Sequence, residues 1–183
     1  MKTTSLLPLV LSAMLLAFAG CASPTQPAAM KVESIELTNK FDKTVAVRTN
    51  GGQPTDPKWT SKVSDEDLAQ AISDSLKATG LFRGVVSVDQ SDYILNATIV
   101  SIDQPVMGFT MSVGIEIIWS ITPRGQTKPV WEKSVSSREQ KTTGDAFAGV
   151  KRLQLATEAA TKANIQKALT ELSKQQLTPA ASQ

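Results

Sequence analysis

The stretch Gly108–Gly125, GFTMSVGIEIIWSITPRG, decides the fold because apolar residues alternate in it with small or polar ones. A period of two residues places every second side chain on one face of a β-strand, whereas a helix would scatter the same side chains around its circumference. The alternation therefore predicts one long strand with a buried face and a wetter face. Only Ile118 breaks the pattern, and the predicted buried face comprises Phe109, Met111, Val113, Ile115, Ile117, Trp119 and Ile121.

Further strands are predicted on both sides of this stretch. The turn residues at 123–125, Pro-Arg-Gly, predict a hairpin loop, and PVWEKSVSSREQKTT at 129–143 supplies the return strand. That strand becomes polar towards its end, which is typical of a sheet edge. Upstream, YILNATIVSI at 93–102 predicts the preceding strand, and short strands are predicted at Ser34–Leu37 and Thr44–Thr49.

Two helices are predicted from apolar residues that recur every three or four positions. Ser64 can cap the first helix, the carboxylates that follow it favour the positive helix end, and Gly80 can close the helix in a left-handed conformation. A second helix is predicted from Asp145 to about Lys174, with Phe147 at its start. Its buried stripe comprises Val150, Leu153, Thr157, Ala160, Asn164, Ala168 and Leu172.

The order of these elements predicts the fold class. Two strands, a helix, a short strand at LFRGVVSV (81–88), a three-strand meander and a helix follow one another along the chain. Helices on one face of a sheet bury the apolar strand faces, so we expect an α+β fold. This is a two-layer sandwich in which two helices pack on one face of a mostly antiparallel sheet with a long hairpin. We expect residues 31–175 to form this single domain and residues 176–183 to be a disordered tail.

The N-terminal residues 1–20 predict a secretory signal peptide. Lys2 provides a basic start, Leu6–Phe18 is a short apolar run, and Ala19 and Gly20 are the small residues that precede Cys21. The apolar run is shorter than the roughly 20 residues that a membrane-spanning helix needs. Cys21 is the only cysteine of the chain, so it cannot form an intramolecular disulfide.

Residues 18–21, Phe-Ala-Gly-Cys, resemble the lipobox of bacterial lipoproteins, with Phe18 in place of the usual leucine. In that family the cysteine receives a diacylglycerol on its sulfur, the signal is cut before it, and the new amino group is acylated. An aspartate after the cysteine tends to retain these proteins in the inner membrane, and this chain has Ala22 there. The resemblance implies a lipid anchor in the cell outer membrane, on its periplasmic side. Residues 21–30 would then be the lipidated cysteine and a flexible tether, and a soluble periplasmic protein with a free thiol is the alternative.

The composition restricts the chemistry. The 183-residue chain has 19 Lys and Arg, 17 Asp and Glu, and no histidine. Its formal net charge of +2 gives no electrostatic case for a nucleic-acid partner. Without histidine, Ser-His-Asp and Cys-His catalysis and imidazole metal sites are excluded, and lipidation of Cys21 would exclude thiol catalysis. We therefore predict no catalytic residue, no metal and no cofactor, with carboxylates as the only remaining common acid–base groups.

The first candidate binding loop combines a positive charge, a glycine turn and an aromatic residue. Its residues are Arg48, Asn50, Gly51, Gly52 and Trp59. Long loops carry function disproportionately often, which is the reason to single this one out. The alternative is structural: the glycines permit positive φ angles and Trp59 covers the edge of the core.

The second candidate binding loop is DQPVMGF, Asp103–Phe109, in which Val106, Met107 and Phe109 are apolar. An apolar loop tip can contact lipid or a protein partner. The alternative is that the loop folds over the end of the sandwich and buries these side chains.

The chain also resembles a group of proteins along most of its mature length. The lipobox, VAVRTNGGQPTDPKWTSKVSDE at 45–66, DQPVMGFTMSV at 103–113 and DAFAGVKRLQLATEAATKANI at 145–165 resemble small outer-membrane lipoproteins of uncharacterised function from Gram-negative bacteria. The element order is similar to YajG-type lipoproteins and to auxiliary lipoproteins of ABC lipid-transport systems. Some relatives carry an acyltransferase label, which implies hexapeptide repeats and a catalytic histidine that this chain lacks.

Three functions follow as hypotheses. The first is a non-catalytic, periplasm-facing outer-membrane lipoprotein that serves as an accessory or assembly factor of a cell-envelope complex, with an envelope protein as its partner. The second is a lipid- or glycan-binding auxiliary subunit of an envelope lipid-transport system, which would need an apolar cleft. The third is an enzyme that uses carboxylates alone, which would need two acidic side chains in one cleft.

Overall fold

Five strands and three helices make up the part of the chain that the structure describes. The structure is a computed structural model and describes residues 23–55, 61–105 and 108–177. The strands are β1 (Phe41–Asn50), β2 (Phe82–Val85), β3 (Tyr93–Asp103), β4 (Met111–Pro123) and β5 (Trp131–Lys141). The helices are α1 (Pro27–Met30), α2 (Asp65–Thr79) and α3 (Gly149–Ser173), and a short 3-10 turn spans Val88–Gln90.

The strands form one open sheet in the order β2-β1-β3-β4-β5. The long ladders, β3 with β4 and β4 with β5, are antiparallel. β1 lies parallel to β2 and β3. After β1, helix α2 carries the chain back to the end of the sheet at which β1 began, so β2 starts there and runs in the same direction. The predicted α+β class is confirmed: the sheet is mostly antiparallel, and with its helices it is consistent with a two-layer sandwich.

The alternation predicted for β4 is confirmed by the burial of its side chains. The core-facing residues Val113, Ile115, Ile117, Trp119 and Ile121 are at most 3% exposed. Ile118, on the opposite face, is 38% exposed. Phe109 was expected to continue the buried face, but it precedes the strand and is 84% exposed. The buried alternation therefore starts at Met111.

The two long helices pack on different strands: α2 contacts β1 and β2, and α3 contacts β4 and β5. Ser64 Oγ accepts a hydrogen bond from the Asp67 backbone N–H at 3.1 Å, and Gly80 has φ +64°, so both predicted caps of α2 are confirmed. α3 starts at Gly149, later than predicted. The reason is that the Asp145 carboxylate accepts the Thr142 N–H at 2.8 Å in a turn that precedes the helix.

One predicted strand is not a strand in the structure. Residues 34–37 have no partner in the described sheet, and the predicted Thr44–Thr49 strand lies within β1. Ile35 and Leu37 are half-buried and pack against the core. Their alternation therefore reflects contact with the core and does not need strand pairing.

The N-terminal segment differs from the expected flexible tether. Met30, in α1, is fully buried in the core, and Thr25 is 2% exposed. The backbone N–H of Gln26 donates to Glu158 Oε1 at 2.9 Å, and the Val32 N–H donates to Ser75 Oγ at 2.9 Å. Residues 25–32 are thus held between α2 and α3 because the Met30 and Val32 side chains are buried and the backbone N–H groups of Gln26 and Val32 have partners on the two helices.

Candidate functional site

One end of the molecule collects both candidate binding loops. β1 and β3 run parallel and finish there, and the antiparallel partner β4 starts there, because Asp103 pairs with Gly114. α2 also starts there, since the Gly52 N–H donates to the Asp65 carboxylate at 2.9 Å. We call this region the loop end. It comprises the described residues 23–24, 51–53, 61–62, 104–105, 108–109 and 146–147.

Gln104 joins the two candidate loops. Its side-chain amide nitrogen donates to the Ser61 carbonyl at 2.6 Å and to Thr157 Oγ1 at 2.9 Å. Ser61 closes the first loop and Gln104 opens the second, while Thr157 lies on α3. The two loops are far apart in the sequence, and in the fold a single side chain connects them.

The two glycines of the first loop have a structural role. Gly51 has φ +81°, and a Cβ atom there would lie 2.3 Å from the Ile99 carbonyl oxygen. A Cβ on Gly52 would lie 2.4 Å from the Asp65 backbone nitrogen. Only glycine can bring the backbone this close to β3 and to the start of α2. The contacts explain the Gly-Gly pair without a ligand.

Arg48 and Asn50 do not belong to the loop, because both lie in β1 and are exposed. Thr49 lies between them and donates its hydroxyl to the Asp65 carbonyl at 2.8 Å, on the helix side of the sheet. Strand side chains alternate between faces, so Arg48 and Asn50 lie on the opposite, open face. The structure therefore separates them from the glycine turn.

A shallow groove runs beside the first loop. Its volume is about 340 Å³, and its lining mixes polar and apolar groups from Gly51, Gln53, Lys62, the β3 residues 99–102 and Gln104. The Lys62 ammonium group donates to the Gln53 side-chain oxygen. Both candidate loops contribute to this groove, in agreement with their connection through Gln104.

Arg152 clamps the second loop to the start of α3. Its side chain is only 6% exposed, and its guanidinium group donates to the carbonyls of Ala146 at 2.9 Å and Phe147 at 2.5 Å. The other terminal nitrogen donates to the Gly108 carbonyl at 3.0 Å. Backbone carbonyl dipoles thus solvate a buried cation. The same contacts hold the segments around residues 108 and 147 side by side.

Two phenylalanine rings project from these clamped segments. Phe109 is 84% exposed and Phe147 is 97% exposed. The alternative in which the second loop buries its apolar side chains over the end of the sandwich is therefore wrong for Phe109. Phe147 was predicted to lie at the start of the second helix. α3 starts only at Gly149, two residues later, and the Phe147 ring is in solvent.

The N-terminal segment also reaches the loop end. The Gln154 side chain donates to the Pro24 carbonyl at 2.9 Å, and Ser61 Oγ donates to the Ser23 carbonyl at 3.3 Å. The first residue that the structure describes therefore lies beside the first turns of α3 and the closing residue of the first loop.

Four predicted site residues, Cys21, Trp59, Val106 and Met107, lie outside the described residues and stay predictions.

The carboxylates with shifted pKa values have structural partners. Hydrogen bonds from Thr44 lower the pKa of Asp92, and those from Thr142 and Lys141 lower the pKa of Asp145. Lys133 and Lys174 lower the pKa of Glu171 to about 2. Each of these groups stabilises a turn or a strand–helix contact. In the described part of the chain, no three His, Cys, Asp or Glu side chains are grouped so that they could hold a metal ion.

The interface between the sheet and the helices is filled by side chains. Leu68, Ile72, Leu95, Ile117 and Ile165 are fully buried in one continuous core. The lipid-binding hypothesis needs an apolar cleft either at this interface or under the loop that contains Met107, and these side chains occupy the first of the two positions. Among the described helices, none is long and apolar enough to span a bilayer.

Comparisons with known proteins find similarity of fold. No family model and no curated protein matches the sequence. Protein XCC0632 of the family DUF330, from Xanthomonas campestris, is 12% identical with a TM-score of 0.51, over 84% of this chain and 90% of its own. The hypothetical protein CT253 from Chlamydia trachomatis is 5% identical with a TM-score of 0.51, over 74% and 96%. A minor lipoprotein from Acinetobacter baumannii is 11% identical with a TM-score of 0.44, over 72% and 92%.

Proposed function

We propose that this protein is a non-catalytic envelope lipoprotein, anchored through Cys21 on the periplasmic side of the outer membrane, that acts as an accessory or assembly factor of an envelope complex. The observation that carries the proposal is the position of Ser23. Only Ala22 separates Ser23 from the lipobox cysteine. The Ser23 carbonyl accepts a hydrogen bond from Ser61 Oγ, so a lipid anchor on Cys21 would leave the domain at the loop end.

The contacts of the N-terminal segment support a domain that an anchor on Cys21 would hold close to the membrane. Thr25 donates its hydroxyl to the Lys62 carbonyl and to the Asp67 carboxylate, both at 3.3 Å, and is almost fully buried. A chain of two residues spans at most about 7 Å, so acyl chains on Cys21 would keep the loop end at the bilayer surface. An accessory factor in this arrangement contacts partners that lie at or in the same membrane.

The absence of a catalytic role is supported by the chemistry of the site. Gln104, at the loop end, and Arg152, next to it on α3, are both used in contacts that hold loops and helices together. The chain has no histidine. The second hypothesis, lipid or glycan binding, has less support because the helix–sheet interface is filled, and it becomes an outcome of the test below.

The test is co-purification of tagged protein from gently solubilised envelopes, with wild type and two variants. Wild type is compared with Cys21→Ser, which removes the sulfur that would carry the diacylglycerol. It is also compared with Ala22→Asp, which keeps the anchor but introduces the residue that retains lipoproteins in the inner membrane. Mass spectrometry of the N-terminal peptide reports acylation in each case.

We expect one near-stoichiometric envelope partner with wild type and its loss or weakening with both variants. Acylated wild type without any partner above background would contradict the accessory role and favour lipid or glycan binding. Wild type with an unmodified Cys21 thiol would contradict the anchor. A partner retained equally by Cys21→Ser would contradict the need for the anchor.

A further inference from the structure

We propose that the loop end is a membrane-contact surface, at which Phe109 and Phe147 insert into the interfacial region of the bilayer that holds the acyl chains of Cys21. This inference rests on the proposed lipid anchor and adds to it a defined orientation of the domain. The occupant of the surface is the phospholipid bilayer itself.

The first observation is the exposure of the two rings. Phe109 and Phe147 are 84% and 97% exposed, whereas the next large apolar side chains are Val100 at 53% and Ile118 at 38%, both within the sheet. A single exposed apolar side chain is ordinary on a protein surface. Two nearly free aromatic rings on adjoining loops form a contact surface for an apolar medium.

The second observation is that the two rings are held next to each other. The guanidinium group of Arg152 donates to the Phe147 carbonyl and to the Gly108 carbonyl, and Gly108 directly precedes Phe109. The clamp is buried, so it persists when the outer surface changes its surroundings. Because Arg152 already holds the backbone at Gly108 and Phe147, insertion of the rings costs little further conformational entropy.

The third observation is the distance to the anchor. Gln154, which binds the Pro24 carbonyl, lies two residues after Arg152 on α3, about 3 Å farther along the helix axis and about 200° around it. From Ser23 the chain reaches Cys21 in two residues, at most about 7 Å. The anchor and the two rings therefore lie at the same end of the molecule, on different sides of the first turns of α3.

The charges at this end have mixed signs. Lys141 pairs with Asp145 at 3.3 Å, and the Asp65 carboxylate, which accepts the Gly52 N–H, lies at the same end as the Lys151 ammonium group. Such a surface has no strong attraction for anionic headgroups, so burial of the rings supplies the contact. The contact should consequently depend little on salt.

The test uses the lipidated protein and its lack of a free thiol once Cys21 is acylated. Phe109→Cys, Phe147→Cys and the control Lys128→Cys each introduce one reactive thiol at an exposed position, the control lying at the opposite end, in the β4–β5 turn. Each thiol is labelled with an environment-sensitive fluorophore. The proteins are reconstituted in vesicles of phosphatidylethanolamine and phosphatidylglycerol. Flotation measures anchoring, and quenching by aqueous iodide or by headgroup-level nitroxide lipid measures the position of each label.

We expect labels at 109 and 147 to emit at shorter wavelength, to be quenched by the nitroxide lipid and to be protected from iodide, in low and high salt alike. The label at 128 should behave in the opposite way. Floating protein whose labels at 109 and 147 are as accessible to iodide as the label at 128 would overturn the membrane contact and leave the anchor intact. Protein that does not float would overturn the anchor, and the membrane contact with it.

Discussion

The indole N–H of Trp119 donates to the side-chain oxygen of Asn164 at 2.9 Å, and both side chains are fully buried. The side-chain nitrogen of Asn164 donates in turn to the Val135 carbonyl at 2.7 Å and to the Ile115 carbonyl at 3.4 Å. One side chain of α3 thus satisfies polar groups of β4 and of the edge strand β5. Buried polar groups are costly without partners, so this contact determines how α3 sits on the sheet.

Asn164→Ala should lower the free energy of unfolding by about 2–4 kcal/mol, because it leaves the Trp119 N–H and the Val135 carbonyl buried without this partner. Urea unfolding monitored by circular dichroism measures the change. Gln166→Ala, at an exposed position two residues along the same helix, is the control and should cost less than about 0.5 kcal/mol. Equal effects of the two variants would show that the polar contact is unimportant.

Met30→Ala should lower the free energy of unfolding by about 2–5 kcal/mol, because the fully buried side chain fills the space between α2 and α3 and its loss leaves a cavity. Ala28→Ser, at an exposed position of α1, is the matched control. Both variants are compared by thermal and urea unfolding. If Met30→Ala were as stable as wild type, the N-terminal segment would be a tether in solution.

Gly51→Ala should destabilise the fold by more than about 1 kcal/mol, because φ is +81° and the added Cβ would meet the Ile99 carbonyl at 2.3 Å. Gly114→Ala is the control. Its Cβ would lie 2.7 Å from the end of the flexible Arg138 side chain, which can move. We expect the control to stay within about 1 kcal/mol of wild type, since alanine is also favoured over glycine inside a strand. The opposite ranking in urea unfolding would contradict the close backbone approach.

Acid should weaken the contact of β5 with α3 through Glu171. Lys133 and Lys174 lower the pKa of Glu171 from its ordinary 4.5 to about 2, with ammonium–carboxylate distances of 2.6 Å each. A lowered folded-state pKa contributes stability that is present above pH 4.5 and is lost as the pH falls towards 2.

The measurement for this pair is the melting temperature of wild type and Glu171→Gln as a function of pH. Wild type should melt higher near neutral pH, and the two curves should converge as the pH falls from 4.5 to 2. Glu132→Gln, which removes an exposed carboxylate beside Lys133, controls for the change in net charge. A difference between wild type and Glu171→Gln that does not change with pH would argue against the ionic origin.

The sequence correctly predicted the elements that depend on residues close together in the chain. β4 follows from its alternation, and α2 follows from the Ser64 cap, its apolar spacing and Gly80. The prediction was wrong for residues 34–37, because alternate burial against a core resembles strand pairing in a sequence. The sequence analysis also did not predict that β1 is parallel to its neighbours. The pairing of β1 depends on the helical crossover through α2 and on contacts between residues far apart in the chain.

The candidate site was predictable only in its parts. Both loops could be recognised from glycine and apolar residues, but their connection through Gln104 depends on a residue without any local signal. Arg152 was likewise missed, since an arginine on a helix is normally exposed, and only burial against two loops gives it the role of a clamp.

The sequence by itself determined the alternating strand, the caps of α2, the absence of histidine and a segment before the domain that resembles a lipobox. These properties depend on neighbouring residues, so they can be read without the fold. Only the tertiary structure decided that residues 25–32 are docked and that Phe109 and Phe147 project from one end beside the N-terminal segment. The exposure of an apolar side chain depends on whether distant parts of the chain arrive to cover it, and no local pattern contains that information.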